Sequence, residues 1–195
     1  MKTLRTLGLL CIATLLSAAS WAATVDVAGV KLEDSIDLQG SKLQLNGAGV
    51  RTKVIFKVYV AGLYLNKKAA TPAEVLAATG PKRMSLTMLR DIDAGELGKL
   101  FTQGVEDNTA KSEMSKLIPG LIRMGQLFAD QKKLKSGDNV LIDWVPGTGT
   151  TLTINGKLQP DPFKEPEFFT ALMRIWFGDK PADAGLKEAL LGKGA

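Results

Sequence analysis

An arginine and a tyrosine are the side chains of this sequence best suited to chemistry. Arg51 and Tyr59 stand in the segment 41–65, among valine, isoleucine, phenylalanine and leucine residues. A guanidinium can make a bidentate, charge-assisted contact to a carboxylate, and a phenol can donate a further hydrogen bond. The two residues could therefore bind an acidic head group, or they could stabilise the oxyanion that forms when an enzyme generates an enolate.

Most familiar catalytic arrangements are excluded by composition. The 195 residues include no histidine and a single cysteine, Cys11. A Ser-His-Asp or Cys-His nucleophile pair, a His-based or Cys-based zinc site and an imidazole base are therefore ruled out. We expect no cofactor and no metal. The glycines between 147 and 156 lack the GxxxxGK[ST] pattern, and we interpret them as hairpin turns.

Three carboxylates that could form an acid pair have a simpler explanation. Asp91, Asp93 and Glu96 stand where a helix is expected to begin. The partial positive charge of a helix N-terminus attracts carboxylates without any catalytic role. We therefore interpret them as helix-start residues.

The first 22 residues predict a cleavable signal peptide. Lys2 and Arg5 form a short basic region, residues 7–16 are apolar, and Ser20-Trp21-Ala22 offers a small-x-small cleavage site. The alternative is an uncleaved membrane anchor, but the apolar run is shorter than the ~20 residues that a membrane span needs. We expect export to a periplasm or to the exterior, and a mature chain without a transmembrane span.

Cleavage after Ala22 would leave a single domain, residues 23–195, without a cysteine. Its stability would then depend on core burial, which a domain of this length can supply. Loss of Lys2 and Arg5 would lower the formal net charge from +5 to +3, and the remaining basic residues are scattered. We therefore expect no nucleic-acid partner.

The residues from Lys53 to Leu65 predict a β-strand with one dry face. Polar residues occupy odd positions at Lys53, Lys57 and Tyr59, while the even positions from 54 to 60 are apolar. On one regular strand, Arg51 and Tyr59 would point to the same side about 26 Å apart. They could share a small anion only if a hairpin, a bulge or strong coiling brought them together.

Upstream of Arg51, a glycine-containing segment predicts a turn or a sharp bend. Asn46-Gly47, followed by Gly49, supplies residues that reach positive φ at low steric cost. We expect the bend near Asn46.

The remaining sequence predicts helices between two groups of strands. Pro119 should either start a new helix or kink an existing one. The apolar stripe around it is typical of a core-facing helix, although it could also form the wall of an apolar pocket. The order of elements predicts an α+β fold with a largely antiparallel sheet covered on one face. The expected elements are an opening strand or hairpin over 24–37, a helix after the capping box 71–74, a strand over 84–90, helices over 93–108 and 112–133, strands over 139–145 and 150–154, and helices over 166–177 and 182–191.

Two of these segments resemble the chalcone isomerase family. Residues 46–51, NGAGVR, are similar to the GAGVR segment of that family, and residues 57–65, KVYVAGLYL, are similar to the strand that follows it. The resemblance extends from about 43 to 190. It implies a chalcone isomerase-like, open-faced β-sandwich with helices packed on the large sheet.

The resemblance implies only part of the isomerase site. It places the catalytic arginine of the family at Arg51 and a strand threonine at Tyr59. A helix tyrosine and asparagine correspond to Leu97 and Gly104, and a fourth polar position falls near Ile175. Isomerisation requires a phenolate held beside an enone and donors for the enolate, and most of those donors are absent here. In the fatty-acid-binding relatives of this fold, an arginine and a tyrosine bind the carboxylate.

We therefore predict an exported, non-catalytic protein that binds a fatty-acid-like or other small apolar carboxylate. Arg51 is the expected anchor and Tyr59 the supporting donor. The competing interpretations are a strand-end arginine that is solvated or paired on the surface, a counter-ion such as Asp143, and a sheet-face packing role for Tyr59.

Two other functional classes stay open at this point. A chalcone-flavanone isomerase, an intramolecular lyase acting on a phenolic enone, would use Arg51 and Tyr59 as catalytic residues. It would also need hydroxyls such as those of Thr87, Thr102 or Thr170 in place of the missing donors. A purely structural envelope protein without a ligand is the third class.

Overall fold

Eleven strands and five helices occur within residues 23–193, the part of the chain that the computed structural model describes. The predicted signal peptide lies outside these residues. In chain order the strands are β1 (Thr24–Val27), β2 (Val30–Glu33), β3 (Ser35–Leu38), β4 (Ser41–Lys53), β5 (Phe56–Leu65), β6 (Lys82–Met88), β7 (Ile92–Asp93), β8 (Lys133–Leu134), β9 (Asn139–Val145), β10 (Gly149–Ile154) and β11 (Lys157–Leu158). The helices are α1 (Pro72–Ala77), α2 (Ala94–Asp107), α3 (Lys111–Gln131), α4 (Pro166–Phe177) and α5 (Ala184–Leu190).

A curled seven-stranded sheet organises these elements. Its strand order is β11-β10-β9-β6-β5-β4-β3, and every neighbouring pair is antiparallel. Two further two-stranded sheets accompany it, β1-β2 and β7-β8. The predicted α+β class and its antiparallel sheet are confirmed.

The long helices cover one face of the sheet and form the larger core. Phe101 of α2 packs edge-on against Phe128 of α3 and Trp176 of α4, with ring centroids 5.5 and 5.6 Å apart. The odd-numbered residues of β5 from Tyr59 to Leu65 belong to the same core. Edge-to-face aromatic pairs of this kind stabilise a core beyond their buried area.

A second, smaller core lies on the opposite face of the sheet. It contains Leu32 of β2, Leu43 of β4, and Val60 and Tyr64 of β5. Strand β5 is therefore buried on both faces from Val58 onward, and the prediction of one dry face is wrong. The alternation of polar and apolar residues failed as a guide because Tyr59 is buried among the helices rather than exposed to solvent.

The prediction of a single strand from Lys53 to Leu65 is also wrong, because the chain reverses there. Lys53 pairs with Phe56 across a two-residue turn at Val54-Ile55. The φ angle of Val54 is +60°, which is unfavourable for a β-branched residue. Two-residue turns usually contain glycine, asparagine or aspartate, so Val54 and Ile55 carry no local turn signal.

Asn46 lies in a β-bulge within β4, where a turn or sharp bend was expected. The pairing with β5 shifts register between Leu45 and Gly47, and the strand continues through it. The Asn46 side chain donates to the carbonyls of Ala69 and Leu190, at 2.9 and 2.8 Å, and accepts from the Ala69 N–H at 2.7 Å. The bulge therefore holds α5 and the 66–70 loop against the sheet.

Gly47 and Gly49 are required for close packing and not for a backbone conformation with positive φ. A Cβ at Gly47 would collide with the carbonyl oxygen of Ala189, and one at Gly49 would lie 2.7 Å from the Cβ of Ala189. Neither glycine has a positive φ. Both are small because α5 crosses β4 at this point.

The helices follow their local capping signals. Thr71 and Glu74 form the predicted capping box of α1, and the Asp93 side chain accepts from the Glu96 N–H at the start of α2. Pro119 lies inside one continuous helix, α3, and does not begin a new one. Within residues 23–193, no helix is both long enough and apolar enough to cross a bilayer.

Candidate functional site

The β4–β5 hairpin brings Arg51 and Tyr59 face to face. The two residues are paired in the register of the sheet, and the guanidinium carbon of Arg51 lies 5.6 Å from the centroid of the Tyr59 ring. A cation at this distance from an aromatic ring is attracted by it. Of the geometries considered for these two residues, the hairpin is the one that the chain adopts.

Arg51 is a buried cation without an anionic partner in the described part of the chain. The residue is 9% exposed, and its Nε has no hydrogen-bond partner among residues 23–193. No salt bridge within those residues includes it. A guanidinium with this little hydration is costly unless an anion or other acceptors contact it.

Two carboxylates that could serve as a counter-ion are engaged elsewhere. Asp143 binds Arg83 in a bidentate ion pair, with both contacts at 2.6 Å. Asp183 caps α5, because one of its oxygens accepts from the Leu186 N–H and the other from the Thr52 N–H, both at 2.9 Å. The expectation that Asp143 competes for Arg51 is therefore wrong.

Tyr59 is buried directly behind Arg51. The residue is 1% exposed, and its hydroxyl accepts a hydrogen bond from Nε1 of Trp176 at 3.0 Å. Burial raises the pKa of Tyr59 to about 12, although Arg51 and Trp176 act in the opposite direction. The phenol is therefore neutral at ordinary pH and retains its proton as a possible donor.

A cleft of about 390 Å³ opens beside Arg51, between the β4–β5 tip and residues 90–100. Six of the twelve residues that line it are apolar: Val54, Phe56, Val58, Ile92, Leu97 and Leu100. Tyr59 does not line it. The structure thus brings Arg51 to the cleft wall and leaves Tyr59 one layer deeper.

The cleft lining contains three cations, Arg51, Lys53 and Arg90, and three carboxylates, Asp91, Asp93 and Glu96. Asp91 is bound by Lys133 at 2.7 Å and by the Ser136 N–H at 3.0 Å, and these contacts lower its pKa below the usual value. Asp93 caps α2 at 2.8 Å, which confirms its interpretation as a helix-start residue. No carboxylate within residues 23–193 forms a salt bridge with any of the three cations.

The tyrosine and asparagine donors that the resemblance implies for an isomerase are not present in this cleft. Leu97 contributes an apolar wall. Gly104 packs against Ile175 in the core, where a Cβ would lie 3.1 Å from the Ile175 side chain. The hydroxyls of Thr102 and Thr170 donate to the carbonyls of Gly98 and Pro166 in their own helices.

Thr87, the remaining hydroxyl considered as a replacement donor, also lies away from the cleft. It is in β6, paired with Val60 and with Asn139, and it does not line the cleft wall. No threonine therefore replaces the missing donors within the described residues.

Three cleft or supporting residues were missed by sequence reasoning. Trp176 is separated from Tyr59 by 117 positions, and only the general need of a buried indole N–H for an acceptor could have indicated it. Lys53 and Arg90 line the cleft because the chain turns at Val54-Ile55, which was not predicted, and because α2 packs beside that turn. No local pattern would have indicated either of them.

A second cleft, between α3 and α4, is less suited to an acidic ligand. Its volume is about 270 Å³, and its arginine, Arg174, contacts Glu113 at 3.0 Å. The cation is therefore already paired. Within residues 23–193, no group of three or more side chains has the composition and spacing to hold a metal ion.

Comparisons with known proteins agree with this architecture. A family model described as chalcone isomerase-like matches residues 24–192. The structure is similar to the crystal structure of the Arabidopsis thaliana fatty-acid binding protein, with a TM-score of 0.68 and 19% sequence identity, over 87% of this chain and 96% of that one. At this identity the likeness shows the fold alone. A search of curated proteins gave no match.

Proposed function

Because the chain belongs to the chalcone isomerase-like family, we propose that it is an exported, non-catalytic protein that binds a small apolar carboxylate such as a fatty acid. The fold is shared with a protein whose name states that it binds fatty acids. Arg51 is the anchor for the carboxylate, and Tyr59 supports the anchor from behind.

The observation that carries this proposal is the unpaired guanidinium of Arg51 at the wall of the cleft. It is buried, it has no carboxylate partner among residues 23–193, and its Nε has no acceptor. A carboxylate in the cleft would pair with the guanidinium and neutralise its charge. A contact of this kind contributes about 1.5–3 kcal/mol.

The rest of the cleft is suited to an apolar tail. Its volume of about 390 Å³ lies in the lower part of the range for small-molecule sites. Val58, Leu97 and Leu100 offer apolar surface next to the guanidinium. Burying the tail against them contributes roughly 25 cal/mol per Å² of apolar area removed from water.

Paired titrations of an acid and the matching alcohol test the anchor. We expect dodecanoic acid to bind the wild-type protein, and Arg51→Ala to weaken that binding by about ten- to a hundredfold. Binding of dodecanol should change little, since the alcohol carries no charge. Arg174→Ala is the matched control, because Arg174 is a half-buried arginine of the other cleft, and it should leave both affinities unchanged.

The same measurements give clear negative outcomes. Equal losses for acid and alcohol in Arg51→Ala would show that the guanidinium supports the fold rather than the ligand. If neither the acid nor the alcohol bound, the carboxylate-binding proposal would be rejected. Native mass spectrometry of protein purified without detergent provides an independent search for a co-purifying acid.

The alternative activity, cyclisation of a chalcone, is favoured only by the family and by the position of Arg51. We expect no acceleration of cyclisation of a hydroxylated chalcone above the uncatalysed rate, because the cleft lining contains no tyrosine, asparagine or threonine to act as the implied donor to the enolate. Absorbance of the chalcone gives the rate directly. An acceleration that disappears in Arg51→Ala would replace the binding function with an enzymatic one.

Export is the part of the proposal that rests on the sequence of residues 1–22. Mass spectrometry of the secreted or periplasmic fraction should find an N-terminus at or near Ala23. An intact Met1 in that fraction would contradict the predicted cleavage.

A further inference from the structure

The tip of the β4–β5 hairpin exposes three consecutive apolar side chains. Val54 is 89% exposed, Ile55 is 78% exposed and Phe56 is 54% exposed. Single apolar residues are common on protein surfaces, but a contiguous apolar projection usually marks a site of association. The tip projects beside the mouth of the Arg51 cleft, because Val54 and Phe56 also line that cleft.

The first residue of the apolar tip occupies a backbone conformation that favours other residues. Val54 has a φ of +60°, where a β-branched side chain is strained and glycine or asparagine is not. Glycine at the first position of a two-residue hairpin would be the ordinary choice. Strain of this kind tends to occur where a side chain has a role outside the fold.

Three cations flank the apolar tip, and the carboxylates Asp91, Asp93 and Glu96 line the adjoining cleft. Lys53 and Lys57 flank the tip on the two strands, and both are exposed. The guanidinium of Arg90 lies 4.8 Å from the centre of the Phe56 ring. Within residues 23–193, none of these three cations forms a salt bridge. An apolar projection flanked by three cations without salt bridges is complementary to an anionic lipid surface, which offers acyl chains below a layer of negative charge.

We propose that this hairpin tip docks on an anionic membrane surface. Val54 and Ile55 enter the boundary between head groups and acyl chains, while Lys53, Lys57 and Arg90 contact the head groups. A second copy of the chain fits the tip less well, since a two-fold contact between tips would bring their lysines together with the same sign of charge.

Docking in this orientation turns the mouth of the cleft toward the membrane. An amphiphile could then move between the lipid layer and Arg51 without its apolar tail crossing bulk water. The docking itself does not depend on the proposed ligand, because the tip residues reach the surface whether or not the cleft is occupied. The two proposals can therefore fail separately.

Vesicle flotation tests the docking. The protein is expressed from the whole coding sequence, its N-terminus is identified by mass spectrometry, and all variants are compared in the same form. We expect binding to vesicles of phosphatidylglycerol and phosphatidylcholine in equal parts, and much weaker binding to phosphatidylcholine alone. Raising the salt concentration should weaken the binding, because it screens the lysines.

Variants of the tip give the decisive comparison. Val54→Gly/Ile55→Ser should lower vesicle affinity by at least about tenfold, since two apolar anchors are lost. Lys53→Gln/Lys57→Gln should lower it by about thirtyfold on anionic vesicles only. Ile118→Ser/Ile122→Ser, which removes two exposed isoleucines from α3, is the matched control and should bind like the wild type. Thermal melting of each variant verifies folding.

Several outcomes would overturn the proposal. Wild-type protein that does not bind anionic vesicles would do so, as would a folded tip variant that binds as well as the control. Equal binding to neutral and anionic vesicles would show that the lysines do not contact anionic head groups. A dimer in sedimentation velocity that disappears in Val54→Gly/Ile55→Ser, without vesicle binding, would instead assign the tip to self-association.

Discussion

Trp176 of α4 donates its indole N–H to the hydroxyl of Tyr59 on β5, at 3.0 Å. This hydrogen bond joins the helical layer to the central strand behind Arg51. The phenol ring meets the guanidinium on one side, at 5.6 Å, and its hydroxyl meets the indole. Arg51, Tyr59 and Trp176 therefore form one connected unit, in which the two aromatic residues hold the cation at the cleft wall.

Removal of the Tyr59 hydroxyl should cost more than removal of the other tyrosine hydroxyl in the chain. Tyr59→Phe leaves the buried Trp176 N–H without an acceptor, so we expect the free energy of unfolding to fall by about 1–3 kcal/mol. Tyr64 donates to the Glu33 carbonyl at 3.1 Å in a partly buried position. For Tyr64→Phe we expect about 0.5–1.5 kcal/mol. Urea denaturation measures both, and equal losses would argue against a special Tyr59–Trp176 contact.

Alkaline pH should destabilise the protein partly through Tyr59. Its pKa is raised from 10.0 to about 12, mainly by burial, so the folded state holds the phenolic proton more tightly than the unfolded state does. The stabilisation is complete below pH 10 and is lost as pH rises from about 10 to 12. One pKa unit corresponds to about 1.4 kcal/mol.

The matched comparison for this pH effect is the Tyr59→Phe variant. Because burial also raises the pKa of Tyr64 to about 12, the useful quantity is the difference between the unfolding curves of the wild type and the variant. That difference should shrink as pH rises through 10 to 12, with tyrosinate absorbance reporting ionisation. A constant difference across this window would show that Tyr59 ionises as easily in the folded state as in the unfolded one.

Val54→Gly should stabilise the isolated domain. The valine has a φ of +60°, and such a conformation costs a β-branched residue about 1–3 kcal/mol. Glycine removes that strain but loses about 0.5–1 kcal/mol of chain entropy, so a net gain of roughly 1 kcal/mol is expected. Ile55→Gly is the control, since Ile55 has no positive φ, and it should destabilise. A loss of stability in Val54→Gly would mean that the turn is unstrained.

Local sequence signals predicted those elements whose ends are fixed by local hydrogen bonds. Thr71 with Glu74 and Asp93 cap their helices as expected, and Asn155 and Gly156 both have positive φ in the turn between β10 and β11. In each case the residues that determine the backbone are within four positions of one another. The helix bounds and the late hairpins were predictable for that reason.

The central hairpin and the site around it depend on distant contacts. The turn at Val54-Ile55 has no turn residues, so the pairing of β4 with β5 imposes it. Arg51 was predicted from its chemistry and its motif, whereas its neighbour Trp176 comes from a helix more than 100 positions away. A single sequence contains no pattern that links two such positions.

Most residues of the NGAGVR motif, which indicated the family, are needed for packing of the fold. Asn46 bonds to the backbone of Ala69 and Leu190, and Gly47 and Gly49 allow α5 to cross the strand. Only Arg51, the last residue of the motif, faces the cleft. The motif therefore indicates the fold more strongly than it indicates an activity.

Gly47→Ala separates the contribution of the motif to the fold from its contribution to ligand binding. The new Cβ would collide with backbone atoms of Ala189 and Leu190, which cannot move away as a flexible side chain could, so we expect the free energy of unfolding to fall by about 2 kcal/mol or more. Gly125→Ala is the control, since a Cβ there has open space on α3, and it should raise stability by about 0.5–1 kcal/mol. Because Gly47 does not line the cleft, the folded fraction of Gly47→Ala should bind dodecanoic acid with wild-type affinity. Weaker binding by the folded variant, measured well below its melting temperature, would show that the bulge positions Arg51 as well as α5.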